Sequence, residues 1–436
     1  MPTNSELLHL NAKFIKHKQM RRAKKFVWQR LFLILFALIS TGMFWSNAAA
    51  QTPQRVYVTN NCGNTVTVID TATNTIASTI SVGNGPYRVA FTPDGSRAYV
   101  PNYLSDTVSV INTATSSVVT TIPVGSSPFG VAINSGGTRA YVTNGGSNSV
   151  SIINTETNTV IGFIGAGASP RGITIAPNGT RIYVANSDSN NVSVIDTATN
   201  AVISTVPVGT FPVAIGIIPD GSRAYVTNYL VDTVSVINTA TNTVIAAIPV
   251  GSGPEWLAIT PDGTHAYVPN IKSATVSVIN TATNTVTATI PVGVFPFGAA
   301  ITPNGSRAYV TNINTGTVSV IDTATNTVTA NAPAGQCPFG IAISPSSAPT
   351  APSVTIRGRV RSASGRGIFR AALSLTDNEG KTQTVYTNSI GYYQFEGVTV
   401  GKTYNLTIRA KHYEFAPQVL TINEEMKNLN FIAAGN

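Results

Sequence analysis

The sequence predicts an all-β protein: a seven-bladed β-propeller closed by a hybrid blade, followed by a small β-sandwich. Three observations carry this prediction. The tetrapeptide Tyr-Val-Thr-Asn at 57–60 has counterparts at six later positions, each 42 residues after the last. Every period holds four short runs rich in Val, Ile, Thr and Tyr, which favours strands. The period ends near residue 345, and segments with a different spacing follow.

Residues 1–50 have the order of a secretory signal peptide. A basic stretch at 21–25 precedes an apolar run at 31–45, and three alanines at 48–50 follow as a small-residue cleavage site. The apolar run has 15 residues and is short for a membrane span. We therefore expect a secreted, extracytoplasmic protein with no membrane span after cleavage. An uncleaved anchor is the alternative, and translation could start at Met1 or Met20.

The basic charge of the chain belongs mainly to this leader. Eight of the 27 Lys and Arg residues and one of the 18 acidic residues lie within residues 1–50, which leaves 19 basic and 17 acidic residues. A net charge of +2 on the remainder argues against a nucleic-acid-binding protein. We expect a monomer with no nucleic-acid partner.

The strands within one repeat fall at Phe129–Ile133, Arg139–Thr143, Val150–Asn154 and Val160–Ile164. Between the first two strands of the repeats lies Pro-Asp-Gly-Ser or a close relative, as at Pro93–Ser96 and Pro219–Ser222. This is typical of a hairpin turn, because Gly tolerates a positive φ. Asp/Asn-Thr-Ala-Thr-Asn between the third and fourth strands, as at Asp196–Asn200, indicates a turn held by short polar side chains. Four strands in about 40 residues are typical of one propeller blade.

The two ends of the repeat array are complementary fragments. The first copy starts at Arg55 and lacks an inner strand, and the chain supplies that strand alone at Pro338–Ile343. A solenoid would instead need polar caps at both ends. We therefore predict a ring in which the strand at 338–343 joins three strands from 55–83.

The Tyr-Val-Thr-Asn motif, the Val-Gly-x-x-Pro-x-Gly junction and the Thr-Ala-Thr-Asn turn resemble the repeats of YVTN-family β-propellers. The resemblance covers residues 55–345. Pro101, Pro269 and Ala185 replace the motif Thr, and Arg88, Ala214 and Trp256 replace the junction Gly. The resemblance implies an extracytoplasmic propeller of the binding or scaffold type and no particular reaction.

The two cysteines are predicted to clasp the closure of the ring. Moved back by six periods, Cys337 falls on position 85, and Cys62 moved forward by one period falls on position 104. These positions are equally far from the Asp94-Gly95 turn, so the cysteines should face each other. Secretion places them where a disulfide persists; two unpaired thiols are the alternative.

A second domain is predicted at residues 354–436, after a Pro/Ser linker at 346–353. Seven short strand patterns in about 80 residues suggest a β-sandwich. Gly358-x-Val360, Thr387-x-x-x-Gly391-x-Tyr393-x-Phe395 and Gly401-x-x-Tyr404 resemble the carboxypeptidase regulatory-like domain, which implies a transthyretin-like accessory module. Its alternating arginines form either a solvated face or a contact for acidic envelope polymers.

Recognisable catalytic motifs are absent from the sequence. His265 and His412 are the only histidines after the leader, too few for a copper centre or a three-histidine zinc site. No Gly-x-Ser-x-Gly elbow, P-loop or Cys-x-x-Cys-His motif occurs. We therefore expect no metal, no cofactor and no assigned catalytic residue.

Residues that differ among the repeats are expected on one face of the ring, around the central channel. The candidates for binding there are Arg88, Tyr103, Arg171, Tyr229, Glu255, Trp256 and Lys272. Phe129, Phe297 and Phe339 recur at one position and are expected to plug the ring.

Three functions stay open. The first is a secreted or surface-attached scaffold that binds an extracellular protein or polysaccharide. The second is a lactonase-like hydrolase or lyase with Glu255 as its carboxylate. The third is a structural surface-layer or adhesion component. Fold alone does not choose among them.

Overall fold

The computed structural model describes residues 54–345, 353–377, 380, 382–423 and 426–434. The predicted leader (1–50) and nearly all of the predicted linker (346–353) lie outside these ranges. The described residues form only strands, turns and loops.

The propeller contains 28 strands. The first three, which belong to blade 1, are β1 (Arg55–Asn60), β2 (Thr65–Asp70) and β3 (Thr75–Ser81). Blades 2 to 4 contain β4 (Ala90–Phe91), β5 (Arg97–Asn102), β6 (Thr107–Asn112), β7 (Ser117–Pro123); β8 (Pro128–Ile133), β9 (Arg139–Asn144), β10 (Ser149–Asn154), β11 (Thr159–Gly165); β12 (Pro170–Ile175), β13 (Arg181–Asn186), β14 (Asn191–Asp196) and β15 (Ala201–Pro207). Blades 5 to 7 contain β16 (Pro212–Ile217), β17 (Arg223–Asn228), β18 (Thr233–Asn238), β19 (Thr243–Pro249); β20 (Ala258–Ile259), β21 (His265–Asn270), β22 (Thr275–Asn280), β23 (Thr285–Pro291); β24 (Pro296–Ile301), β25 (Arg307–Asn312), β26 (Thr317–Asp322) and β27 (Thr327–Pro333). The last propeller strand is β28 (Pro338–Ile343).

Each blade is a four-stranded antiparallel sheet, and blade 1 is the predicted hybrid. Its strand order is β28-β1-β2-β3, so a strand from the end of the array pairs with the first strand of the propeller. Cys62 and Cys337 form a disulfide across this closure, with a Cα–Cα distance of 5.4 Å. Both the closure and the disulfide are therefore confirmed.

The register at the closure differs from the prediction by one residue. Val56 pairs with Ile343, but the ladder shifts between Val58 and Asn60. The amide of Asn61 consequently donates to the carbonyl of Cys337 at 2.9 Å, and Cys62 lies one residue beyond the facing position. The shift accompanies a backbone with φ of 52° at Cys337, immediately before the proline that starts β28.

In blades 2, 4, 5 and 6 the motif Tyr donates a hydrogen bond to the next blade, whereas the buried hydroxyl of Tyr309 in blade 7 has no hydrogen-bond partner among the described residues. Tyr99 is fully buried, and its hydroxyl donates to the Asn158 side chain of blade 3 at 2.9 Å. Tyr225 makes the equivalent bond to Asn284 at 2.8 Å. The interiors between blades are filled by Val, Ile and Ala from facing sheets. In those four blades the motif Tyr is thus a hydrogen-bonded core residue.

The Thr of the motif forms a second tie, beside the channel. In blade 3, Thr143 Oγ1 accepts the amide of Gly130 at 2.8 Å and donates to the carbonyl of Arg171 in blade 4 at 2.6 Å. Thr311 does the same with Gly298 and Phe339. One hydroxyl therefore satisfies a donor and an acceptor on two neighbouring inner strands.

The junction Gly is required by the close approach of those inner strands. A Cβ on Gly130 would overlap the carbonyl oxygen of Arg171, and one on Gly340 would overlap that of Tyr87. At the seven junction positions, side chains larger than Ala occur only at Arg88 and Trp256, where the inner strand is shortened.

The predicted turns are present on the opposite face. Gly95 has φ of 69°, as the Asp-Gly turn requires. Asp196 Oδ1 accepts the amides of Ala198 and Thr199, and Asn200 closes the turn with φ of 55°. Asn tolerates this left-handed backbone better than most residues.

The C-terminal domain contains all seven predicted strands, in two sheets. They are β29 (Ser353–Arg361), β30 (Ala372–Asp377), β31 (Thr382–Tyr386), β32 (Tyr392–Thr399), β33 (Thr403–Arg409), β34 (Gln418–Thr421) and β35 (Phe431–Ile432). One sheet has the order β32-β29-β35 and the other β31-β30-β33-β34. Phe395, Leu373 and Leu406 fill the space between them. This arrangement is the predicted β-sandwich.

Candidate functional site

The loops between strands divide the ring into two faces. The loop that precedes each inner strand and the loop after each motif strand lie together: the amides of Tyr103 and Leu104 donate to the carbonyls of Gly85 and Asn84. We call this the loop face. The Asp-Gly and Thr-Ala-Thr-Asn turns meet on the other face, where Thr113 Oγ1 donates to the Gly95 carbonyl at 2.6 Å. All seven predicted binding candidates lie in or directly after one of these two kinds of loop on the loop face.

Each blade contributes one residue to the lining of the central channel. This residue directly follows the Pro that recurs at the junction of every repeat. In order from blade 1 to blade 7 these residues are Phe339, Tyr87, Phe129, Arg171, Val213, Glu255 and Phe297. Blades 7, 1, 2 and 3 thus contribute aromatic rings. Blades 4 to 6 contribute a cation, an apolar residue and an acid, so the channel has an aromatic half and a charged half.

The aromatic half is packed against itself. The ring of Tyr87 lies 4.2 Å from Phe129 and 5.0 Å from Phe339, and Phe297 stacks on Phe339 at 4.6 Å (centroid to centroid). Burial raises the pKa of the Tyr87 hydroxyl. These contacts explain why aromatic residues recur at this position: they fill the channel, as expected for the three phenylalanines.

Blades 2 and 6 break two repeat rules at once. Arg88 and Trp256 replace the junction Gly, and Pro101 and Pro269 replace the Thr that would bond to it. In the same two blades the regular inner strand shrinks to two residues, β4 and β20. Without the Thr tie, the backbone at the junction is free to accept a large side chain.

The two large side chains meet across the channel. The guanidinium carbon of Arg88 lies 3.3 Å from the centroid of the Trp256 ring and 5.0 Å from that of Phe297. Blades 2 and 6 are separated by three blades on one side and two on the other. The contact is a cation–π pair that spans the ring, and it is favourable because the guanidinium is removed from water.

Arg88 is buried without hydrogen bonds. Its side chain is 3% exposed, and Nε, Nη1 and Nη2 all lack a hydrogen-bond partner among the described residues. Burial lowers the pKa of the Arg88 guanidinium. The group nevertheless keeps its proton at neutral pH, since arginine is not deprotonated in proteins. A buried charged group with five unused donors is costly, which marks the site as unusual.

Glu255 of blade 6 is a buried carboxylate whose charge acts on that of Arg88. It is 7% exposed, and its Oε2 lacks a hydrogen-bond partner. Burial raises the pKa of the Glu255 carboxyl, while the positive charges of Arg88, Arg171 and Lys272 act in the opposite direction. Its backbone carbonyl is fixed by Thr227 Oγ1 at 2.6 Å. Burial is the largest effect, so we take the pKa as raised.

The other candidates surround these two residues nearer to solvent. Arg171 lies over Phe129 at 5.1 Å and over Phe211 at 4.7 Å, and the ammonium of the exposed Lys272 lies 4.3 Å above the ring of Tyr229. Tyr103 contacts Tyr87, with ring centroids 5.3 Å apart. The structure therefore brings all seven candidates to one cationic and aromatic mouth, with Arg88 and Glu255 at its buried end.

Two features of the mouth were missed from the sequence. Phe211, which lies between Arg171 and Tyr229, was not a candidate, although its ring is 5.9 Å from that of Tyr229. The Arg88–Trp256 contact was also missed. The signal for it was present, because Gly and Thr are lost together in the same two blades.

Among the described residues, no three His, Cys, Asp or Glu side chains are grouped so that they could hold a metal ion. The same residues contain no helix that is long and apolar enough to cross a membrane.

The fold and the channel define a class: a seven-bladed β-propeller joined to an accessory β-sandwich. Within that class, residues 55–207 match the family described as "Lactonase, 7-bladed beta-propeller", and residues 210–304 match "YNCE-like beta-propeller". Residues 355–432 match the "Carboxypeptidase regulatory-like domain". These matches confirm the repeat propeller and the C-terminal module predicted from the motifs. No curated protein matches the chain.

Solved structures share the propeller fold at low sequence identity. Hydrazine synthase of Kuenenia stuttgartiensis is 22% identical, covers 70% of this chain and 96% of its own, and has a TM-score of 0.56. A functionally unknown protein of Desulfotomaculum acetoxidans is 22% identical (66% and 98% covered, TM-score 0.59). A putative 6-phosphogluconolactonase of Bacteroides uniformis is 16% identical (67% and 100% covered, TM-score 0.59). These likenesses establish the fold alone.

Proposed function

We propose that this chain is an extracytoplasmic binding scaffold that engages an acidic segment of a protein or polysaccharide at the mouth of the loop face. The observation that carries the proposal is Arg88. Its guanidinium is stacked on Trp256, and all of its donor nitrogens are unused and buried. Stacking occupies a face of the guanidinium but leaves its edge, where the N–H groups match a carboxylate in a bidentate pair.

The charge around Arg88 favours a ligand that carries more than one acidic group. Arg88, Arg171 and Lys272 supply three positive charges against the single negative charge of Glu255 when it is ionised. Lys272 is exposed and Arg171 is partly exposed, so these cations can attract an anion before it reaches Arg88. Tyr103, Tyr229 and Trp256 are partly exposed and offer ring surface beside the cations.

The location follows from two features that support each other. The leader has the order of a secretory signal. The clasp between Cys62 and Cys337 is a bond that persists in oxidising compartments and is rare in the cytosol. We therefore propose the periplasm, the cell surface or the medium as the place where the ligand is met.

Binding is tested by the fluorescence of Trp256. This is the only tryptophan after residue 50, so in the processed chain its emission reports on the guanidinium stacked against it. Polygalacturonate, an acidic polysaccharide, and polyglutamate, an acidic peptide, are the probes, and neutral dextran is the control. We expect a saturable change with at least one acidic probe, lost in Arg88→Gln and weakened in Lys272→Gln.

A matched variant on the turn face, Glu156→Gln, should bind as the wild type does. If neither acidic probe changes the emission, capture from envelope and culture-fluid extracts on immobilised wild-type protein follows. An equal set of captured partners for wild type and for the Arg88, Tyr103, Glu255 and Trp256 alanine variant would reject the loop-face site.

A lactonase-like hydrolase or lyase is the second candidate, and one observation favours it. Burial raises the pKa of Glu255, and a carboxyl with a raised pKa beside several cations is a common general acid or base. Turnover of a lactone library that disappears in Glu255→Gln and persists in Trp256→Ala would support this function. If the wild type turns over none of the lactones, the hydrolase is rejected and the binding scaffold is retained.

A further inference from the structure

One end of the C-terminal sandwich exposes cations and large apolar side chains together. We call it the arginine end and define it by Arg359, Arg366, Phe369, Arg370, Ile390 and Tyr392. Its loops are held to each other. Thr387 Oγ1 donates to the Ile368 carbonyl at 2.6 Å, and the amide of Arg370 donates to the Thr387 carbonyl at 3.1 Å. Hydrogen-bonded loops of this kind present their side chains in fixed positions.

The apolar side chains of the arginine end are far from buried. Phe369 is 59% exposed, Ile390 is 55% exposed and Tyr392 is 49% exposed. The interior of the domain is filled by other residues, so none of these three is needed for its core. Adjacent exposed apolar residues on a soluble surface usually mark an interaction site.

The arginines lie directly beside these rings. Arg359 pairs with Tyr392 across two strands, has its guanidinium carbon 5.1 Å from the ring centroid, and donates from Nε to the Ile390 carbonyl at 2.7 Å. Arg370 lies 5.5 Å from the centroid of Phe369, and Arg366 is exposed in the same loop.

Most of the described acidic groups of the domain lie elsewhere. Asp377 ends β30 and pairs with Lys402 at 3.6 Å, and the carbonyl of Glu396 accepts the Gln383 amide near that opposite end. Glu414, which bridges to Ala434, is an exposed carboxylate just past β33 and lies at the same end of the strands as the arginines. It supplies one negative charge against the three positive charges of Arg359, Arg366 and Arg370. The arginine end is therefore positively charged.

We propose that the arginine end binds the surface of an anionic lipid bilayer. The positive charge complements anionic headgroups, and Phe369 and Ile390 would enter the boundary between headgroups and acyl chains. A polysaccharide fits less well. Stacking on sugars needs free aromatic faces, but Arg359 and Arg370 lie over those of Tyr392 and Phe369, and Ile390 has no such face. The proposal is independent of the channel site.

Local hydrogen–deuterium exchange in the full chain tests the proposal. Residues 1–50 contain their own basic and apolar runs and would bring every variant to a bilayer, so bulk sedimentation is not informative. Vesicles of phosphatidylglycerol mixed with phosphatidylcholine are compared with vesicles of phosphatidylcholine alone. We expect protection of peptides that cover 359–370 and 387–392 with the anionic vesicles only.

Two variants remove the two kinds of contact separately. Arg366→Gln/Arg370→Gln and Phe369→Ser/Ile390→Ser should each abolish that protection. Ile161→Ser/Phe163→Ser, which removes equally exposed apolar side chains from the outer strand β11 of blade 3, should leave it unchanged. Exchange in the rest of the sandwich, measured without lipid, shows whether each variant is folded.

Three results would overturn the proposal. Protection that is absent with anionic vesicles removes the lipid partner. Protection that survives Phe369→Ser/Ile390→Ser would show that these side chains do not enter the bilayer and that charge alone accounts for the contact. Equal protection by soluble polygalacturonate assigns the arginine end to acidic polymers instead.

Discussion

Arg88 of blade 2 and Trp256 of blade 6 touch across the central channel, with the guanidinium carbon 3.3 Å from the centroid of the indole ring. The hydrogen bonds of the motif side chains join neighbouring blades: the motif Tyr reaches the next turn, and the motif Thr reaches the next inner strand. The Arg88–Trp256 pair is a strut between distant blades. Both of these blades lack the motif Thr and the junction Gly.

Removing the strut should destabilise the propeller. We expect Trp256→Ala to lower the free energy of unfolding by roughly 3 kcal/mol, since it removes a large packed ring and leaves Arg88 buried without its partner. Trp256→Phe keeps an aromatic face and should cost less. Guanidinium unfolding followed by circular dichroism gives both values. Equal stability of the alanine and phenylalanine variants would contradict a role for the ring face.

The buried carboxyl of Glu255 should make stability depend on pH. Burial raises its pKa above the ordinary value of 4.5. At a pH above 4.5, the carboxyl of the unfolded chain has lost its proton while the folded chain still holds it. The free energy of unfolding therefore falls as the pH rises, until the folded carboxyl has also ionised. Glu255→Gln removes this loss.

The measurement is the unfolding midpoint of wild type and Glu255→Gln at several pH values from about 4 to about 8. The variant should gain stability relative to the wild type as the pH increases. A variant that loses relative stability with rising pH would show that the cations outweigh burial.

Adding one methyl group at the hybrid blade should be costly. In Gly340→Ala the new Cβ would overlap the backbone carbonyl oxygen of Tyr87, which cannot turn aside as a side chain can. We expect a loss of about 3 kcal/mol, at the upper end for overpacking. Gly165→Ala is the matched control, because nothing lies within 4 Å of its Cβ. The measurement is the melting temperature of each variant. Equal melting temperatures for Gly340→Ala and Gly165→Ala would mean that the inner strands are free to move apart.

Loss of the clasp should destabilise the ring strongly. The disulfide closes a loop with a sequence separation of 275 residues, and the chain-entropy model assigns such a loop about 5 kcal/mol. The Cys62→Ser/Cys337→Ser variant should therefore unfold at lower denaturant than the oxidised wild type. Addition of a reductant should lower the wild type to the level of the variant. A reductant that has no effect on the wild-type midpoint would argue against the bond.

The sequence predicted the propeller closely, because a constant repeat length shows which residue types the fold needs at each position of a blade. The first repeat, which starts at residue 55, lacks an inner strand, and the lone strand at 338–343 supplies it. The hybrid blade and the disulfide could therefore be predicted from the spacing of the repeats. The one-residue shift before Asn60 did not follow, because it arises from local backbone geometry at Cys337 and Pro338. The site was predicted only as a face. Which side chains reach across the channel depends on ring diameter and rotamer, and neither is encoded in the spacing of the repeats.

The hybrid blade also sets an order of events in folding. Strand β1 is the first propeller strand to leave the ribosome, yet its inner neighbour β28 is the last. Until then the edge of Arg55–Asn60 is unpaired and open to other strands. Ring closure is consequently the final step. The disulfide between Cys62 and Cys337 marks chains that extend through residue 337, since the bond cannot form in a shorter product.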